Sequence, residues 1–392
     1  MSNLNTETLW NKSFILCLAN NLFLFIFYFA QTTILPIYIV NDLGGSLSQA
    51  GLAMTLFMAS AIAVRPFSAL IIEKIGTKKA LYISETMFCL FCLTYIFADN
   101  LTLLMIIRFL HGIWFSILTT VNVPIVNAFI PEKRKGEGMG YFLVSINLGI
   151  VLGPLIGLTL IQHTSFANIS ALLLACVVLG FIFCLMIPLQ NKAKEPAPLQ
   201  PKKLSVQDFI EFKAVPVALM AMMISFCYAS IMSFISTFAD AKNLLSYAGL
   251  FFAVFAVSMM SLRPITGRLY DRKGPSYVVY PALILFAAGL LVLSQINSLT
   301  GFMIAAVFIG MGFGSVQPCL QTISIQRSPK HRIGHATSTY FTCYDLGIAI
   351  GSLVLGLVIS GYDYSTAYIL CAVLVLISLI YYHFVVAQQK TA

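Results

Sequence analysis

Residues 65–79 read RPFSALIIEKIGTKK, and residues 263–275 read RPITGRLYDRKGP. A shift of 198 residues, without a gap, carries Arg65 onto Arg263, Pro66 onto Pro264, Glu73 onto Asp271, Lys74 onto Arg272 and Gly76 onto Gly274. Each copy closes one apolar run, turns on a charged stretch containing glycine, and enters another apolar run, the pattern of two helices joined by a tight turn. The same shift carries Asp42 onto Asp240, Ala50-Gly51-Leu52 onto Ala248-Gly249-Leu250, Tyr82 onto Tyr280, Gly112 onto Gly310, Arg134 onto Arg332, Gly149 onto Gly347 and Gly153 onto Gly351. An apolar background matches Leu, Ile and Val by chance. It does not match Gly, Pro and charged residues in one register, so the chain is a parallel duplication.

With 59% hydrophobic and 9% charged residues in a chain of 392 and a mean hydropathy of +0.91, the composition excludes a soluble globule, whose charged fraction is about 25%. Spans of about 20 apolar residues are expected at 14–40, 49–72, 80–98, 101–129, 138–162 and 168–189, and again at 215–239, 246–270, 276–296, 299–326, 336–360 and 366–387. The expected fold is therefore an all-α membrane protein of twelve helices in two pseudo-symmetric six-helix bundles, residues 1–189 and 214–392. A Pro- and Lys-rich linker, 190–213, joins them. The first run is longer than a signal-peptide core and is read as retained.

The net charge of +9 is sorted by side. Lys74, Lys78, Lys79, Lys133, Arg134, Lys135, Arg272, Lys273 and Arg332 fall in alternate connections, whereas the other set holds mainly Lys242. That asymmetry predicts cytoplasmic termini and a cytoplasmic linker in a multi-pass protein of the cell membrane, and argues against a nucleic-acid partner. Nine cysteines are scattered through the apolar runs, and Cys89-x-x-Cys92 lies within a span with no further ligand beside it, so packing is the expected role and no metal site is expected. Phosphate-loop, zinc-helix and nucleophile-elbow patterns are absent from the sequence, which supports neither ATP hydrolysis nor any other enzyme chemistry, and no cofactor is expected.

Two six-span halves, a central linker and the repeated turn resemble the major facilitator superfamily. The second copy, GRLYDRKG at 267–274, is similar to that family's G-x-L-x-D-R-x-G signature; in the first copy Ala69 stands for the leading glycine and Glu73 for the aspartate. Span 5 carries Gly140, Gly149, Gly153-Pro154 and Gly157 at the spacing of the family's antiporter motif, with Leu158 in place of its final glycine, and span 4 carries Arg108 to Gly112, similar to the family's R-x-x-x-G. The resemblance implies a cytoplasmic gate built from Glu73, Lys74, Gly76, Gly267, Asp271, Arg272 and Gly274, with close helix approach at the leading glycine. It also implies a role for Arg108 in proton coupling, and a cavity lined by spans 1, 4, 7 and 10, where Asn20, Asn21, Gln31, Asn122, Tyr228, Gln317 and Gln321 stand among Phe and Met.

Single residues add to this. Gly149, Gly153 and Gly157 form one smooth helical stripe, which fits either a bendable seam between spans 5 and 8 or ordinary close packing. Asp345 lies about ten residues into span 11, about 15 Å deep, where a charge costs about 2.5–3.5 kcal/mol and marks a functional site. It is the expected proton carrier. Glu85, nearer the start of its span, is expected to pair with a Lys or Arg at the cytoplasmic edge, and His111 either relays protons or packs. The duplicated Arg65 and Arg263 are read as architectural. These features together predict a monomeric, proton-coupled exporter of small organic molecules, amphipathic and often cationic, working with protons, substrate and membrane lipid as partners. A dedicated exporter of an endogenous metabolite, such as a metallophore, siderophore or sugar, and a non-transporting membrane sensor are the rival readings.

Overall fold

A computed structural model describes residues 8–131, 134–189, 210–329 and 333–388, and among them it is helical without strands. The first copy runs α1 (Lys12–Asn41), α2 (Leu47–Ile75), α3 (Thr77–Thr94), α4 (Leu101–Ala128), α5 (Lys135–Leu160) and α6 (Phe166–Leu185). The second runs α7 (Val215–Ala241), α8 (Ala248–Lys273), α9 (Ser276–Ser294), α10 (Leu299–Gln326), α11 (Ile333–Gly361) and α12 (Tyr364–Tyr381). Among the described residues eleven helices are long and apolar enough to cross a membrane, and the apolar stretch described in α5, Val144–Leu160, is shorter. Most of the expected linker lies outside the described residues, which resume at Ile210.

The duplication is written into the helix ends. Gly76 closes α2 at φ 84° and Gly274 closes α8 at φ 92°, a backbone region that side-chain-bearing residues enter only with strain. The Asn100 side chain caps α4 by accepting from the Leu103 amide, and Ser298 does the same for α10 from Gly301. Ser165 caps α6 through Asn168, and Asp363 caps α12 through Thr366. Every one of these pairs is related by the sequence shift.

Contacts divide the chain into two compact units, Met1–Ile34 with Ala59–Lys202, and Leu35–Met58 with Lys203–Ala392. The expected boundary between halves lay in the linker alone. The structure also gives the α1–α2 hairpin to the second unit. Within that unit a side chain on Gly51 would collide with the Ser352 carbonyl, Gly356 lies against the Leu47 and Ser48 backbone, and Thr55 Oγ1 donates to the Ala349 carbonyl at 2.8 Å. In both units the outward positions carry large apolar side chains, Leu90, Ile106, Val257 and Leu357 among them, the surface a bilayer solvates.

Candidate functional site

In the first unit the glycine stripe of α5 lies along α1. A Cβ on Gly149 would sit 2.7 Å from Phe25 Cβ, one on Gly153 2.8 Å from the Ala30 nitrogen and the Ile26 carbonyl, and one on Gly157 2.8 Å from Ile34. Within this unit the neighbours of the stripe are on α1, because the glycines let two backbones meet where any side chain would hold them apart. Pro154 lies within the same helix. The second unit repeats the seam: a Cβ on Gly351 would sit 2.6 Å from the Phe226 carbonyl oxygen of α7, and one on Gly347 would collide with Met222 and Ser225. Ser225 Oγ also donates to the Tyr344 carbonyl at 2.7 Å. Asp345 sits between these contacts on α11 and is buried.

The polar side chains expected in a cavity separate into two groups. Asn21 donates to Ser145 Oγ on α5 at 2.8 Å and Gln31 to Ser170 Oγ on α6 at 3.3 Å. Both reach across to a neighbouring helix of the first unit. Asn20 and Asn122 instead meet at a small cavity of about 10 Å³ lined also by Cys17, Leu81, Ile125, Phe142 and Ile187. In the second unit the Tyr228 ring stacks on Phe313 with centroids 3.9 Å apart, and Gln317 and Gln321 are half-buried on α10. A second pocket there, about 310 Å³, lies between α8 and α10 and is lined by Arg263, Thr266, Gly267, Tyr270, Thr322 and Gln326 among others.

Gly267 is the leading glycine of the turn signature, and no described atom lies within 4 Å of a Cβ built on it. The glycine borders the pocket between α8 and α10. Lys74 and Arg272 are exposed beside the turn glycines. The side chains of Glu73 and Asp271, and Gly140, lie outside what the structure describes.

Glu85 is a correction. It is 1% exposed on α3 and accepts a hydrogen bond from Asn20 Nδ2 at 2.7 Å. The expected partner at the edge is turned elsewhere, with Lys78 Nζ over the Tyr82 ring at 5.7 Å. Further along the same layer, Arg108 of α4 is buried and hydrogen-bonded to Tyr95. His111 Nδ1 lies 3.2 Å from the Tyr95 hydroxyl, with its ring among Phe27, Phe88 and Phe91. One signal for Glu85 was present in the sequence: its counterpart in the second copy is Leu283, so the duplication does not ask for an acid at that place.

The multidrug resistance protein MdtG of Klebsiella pneumoniae is 25% identical over 369 residues, covering 88% of this chain and 87% of that protein. The staphylopine export protein of Staphylococcus aureus is 22% identical, covering 90% and 92%. A crystal structure of a bacterial homologue of the human lysosomal transporter Spinster, inward-facing and occupied, shares the fold with a TM-score of 0.79 at 14% identity, over 97% of this chain and 98% of that one. The sequence profile of the Major Facilitator Superfamily matches residues 17–352. A chain of apolar helices, duplicated down to its caps and glycine seams and matched by that profile over most of its length, belongs to the Major Facilitator Superfamily and is a membrane transporter, not an enzyme.

Proposed function

We propose that this transporter exports small organic molecules in exchange for protons, by alternating access of two six-helix halves, twelve spans in all. Residues 1–189 and 214–392 form the halves, with the linker 190–213 and both termini on the cytoplasmic face of the cell membrane. The protein works as a monomer. The observation that carries the reading is Asp345, an acid buried in the apolar span α11 beside glycine contacts that join α11 to α7. An intramembrane acid is costly and is kept where it carries ions or protons. Taking up a proton there cancels a charge at a helix seam, and releasing it restores that charge, so protonation biases which packing of the seam is preferred. One charge moved through 100 mV supplies about 2.3 kcal/mol, enough for a substrate gradient of about fifty-fold.

The substrate class follows from the lining and from the relatives. Tyr228, Gln317, Gln321 and neighbouring Phe and Met side chains offer an apolar, adaptable surface with neutral polar groups, suited to varied amphipathic ligands. MdtG, a multidrug resistance protein by name, supports this. The similarly distant staphylopine exporter supports the second reading, a dedicated metabolite exporter.

Purified protein in liposomes decides the coupling: an imposed proton gradient should drive uptake of a cationic amphiphile against its own gradient, and Asp345→Asn should bind the compound yet lose the pH dependence. Proton-driven transport that survives in Asp345→Asn removes Asp345 from the mechanism. Secretion of one endogenous chelator, with no extrusion of any cationic dye, replaces the multidrug reading with the dedicated one.

A further inference from the structure

A second acid, Glu85, is buried more deeply than Asp345, and the coupling reading leaves it unused. It is 1% exposed, and the hydrogen bond recorded to its carboxyl is the one from Asn20. Among the described residues its titratable neighbours are thiols, not cations. Cys89 and Cys92 of α3 and Cys184 of α6 face it, and Cys17 of α1 lies across from Cys184. On α4, Arg108 and His111 are engaged with Tyr95 further along the layer. A carboxyl in such surroundings costs least as the neutral acid and becomes an anion only where water reaches it.

Water has a place to stand. The cavity of about 10 Å³ is bordered by Asn20, which holds the carboxyl, and by Leu81, one helical turn before Glu85 on α3. It is also bordered by Asn122, which is 7% exposed and whose Nδ2 is buried without a hydrogen-bond partner. A volume of that size holds about one water molecule, and a donor left unsatisfied at its wall is what such a water would bond. The cavity lies where α1 begins and α6 gives way to Ile187, so it sits at one end of the unit and not at its centre.

The duplication acts as an internal control. At the equivalent positions of the second copy, Glu85 is matched by Leu283, Asn20 by Ala218 and Asn122 by Leu320, each wholly buried. The same helices pack without any of the three polar groups.

We propose that Glu85, Asn20, Asn122 and the cavity that the two amides border form a second proton-exchange site, separate from Asp345. A hydronium ion that enters by the cavity and passes Asn20 gives its proton to a Glu85 carboxyl oxygen, forming the neutral acid and leaving water behind. On release the proton returns to that water and the carboxylate keeps its hydrogen bond from Asn20. The inference rests on proton coupling as the chain's activity, but its test does not.

Infrared difference spectra of the purified full-length protein, between alkaline and acidic buffer in light and heavy water, report buried carboxyl groups directly. In an Asp345→Asn background, a deuterium-sensitive carboxyl band should remain and should vanish on adding Glu85→Gln. Asn122→Leu should slow the appearance of the band after a pH jump. A spectrum unchanged by Glu85→Gln overturns the proposal even where liposomes show proton-driven export. Loss of the band with no proton movement in wild-type liposomes leaves the site standing and sinks the antiport reading. If Glu85→Gln fails to fold, the pair Glu85→Leu with Asn20→Ala, which recreates the second copy's residues, carries the same comparison.

Discussion

The layer formed by α3 and α4 and the layer formed by α9 and α10 share a register, closely similar lengths and the capped starts of α4 and α10, yet their interiors differ in kind. The first buries Glu85, Tyr95, Arg108 and His111; the second buries Leu283, Leu293, Ala306 and Ile309 at the same places. The glycine seams α1–α5 and α7–α11 show the opposite relation, since Gly149 and Gly153 are kept as Gly347 and Gly351 and meet equivalent turns of their partner helices. What both copies keep is what the packing needs. What one copy alone carries is free of that need, and burying it costs stability that an apolar side chain would not. The comparison thus separates architecture from chemistry without reference to any other protein.

Exchanging the interiors tests this most severely. Leu283→Glu places an acid where α9 has no amide to hold it, with Ala218 in the position of Asn20, and should cost about 2.5–3.5 kcal/mol, the usual figure for a charge in mid-span. Glu85→Leu with Asn20→Ala should leave the thermal unfolding temperature in detergent unchanged or higher while altering proton exchange. Equal destabilisation by the two exchanges would mean that the polar layer is architectural after all.

The seams give the next effect. Gly153→Leu and Gly351→Leu each drive a side chain into a facing backbone, at contacts of 2.8 and 2.6 Å for the first carbon alone, so each should cost about 1–3 kcal/mol or prevent folding. The two should be alike. A seam that tolerates leucine in one copy and not in the other would show that the tolerant contact opens during transport.

The duplication and the helix limits were legible because Gly, Pro and charged residues hold one register, and the turns that need Gly76 and Gly274 leave the same mark twice. The seam partner was not legible, since a stripe of small residues says that a backbone comes close and not which one. Glu85 was misplaced for a related reason. The apolar run suggested a start near residue 80, whereas α3 begins at Thr77, and hydropathy carries no information about which way a side chain on a fully apolar helix turns. Lys78 and Lys79 made an ion pair the economical guess, but Lys78 covers Tyr82 and the amide of Asn20 reaches the carboxyl first. The pocket that Gly267 borders was not legible either, since it is made by side chains of α8 and α10 that lie far apart in the sequence.

Helix caps predict a smaller and equal effect in the two copies. Asn100→Ala and Ser298→Ala remove the side chains that accept from Leu103 and Gly301 at 2.8 and 3.2 Å. Each should cost about 1 kcal/mol, read as matched shifts in unfolding temperature. A large difference between them would mean that one helix end is held mainly by something other than its cap.

The smallest effect separates the remaining pair of caps by pH. Ser165 and Asp363 occupy the same place at the starts of α6 and α12, but only Asp363 titrates. The Thr366 backbone amide and the Thr366 side chain, with a lesser contribution from Lys242, hold the Asp363 carboxyl below its ordinary range. A carboxylate depressed in the folded state adds stability that is present above its unfolded value, about 3.9, and is lost as the pH falls through the lower folded value. The stability difference between the protein and its Asp363→Asn variant, which keeps a neutral cap, should therefore be constant at neutral pH and shrink below about pH 4. The difference between the protein and Ser165→Ala should stay flat across the same interval, because a hydroxyl cap binds no proton there. Parallel behaviour of the two would mean that the charge on Asp363 contributes nothing beyond the hydrogen bond, and that the two copies are capped by equivalent chemistry despite their different residues.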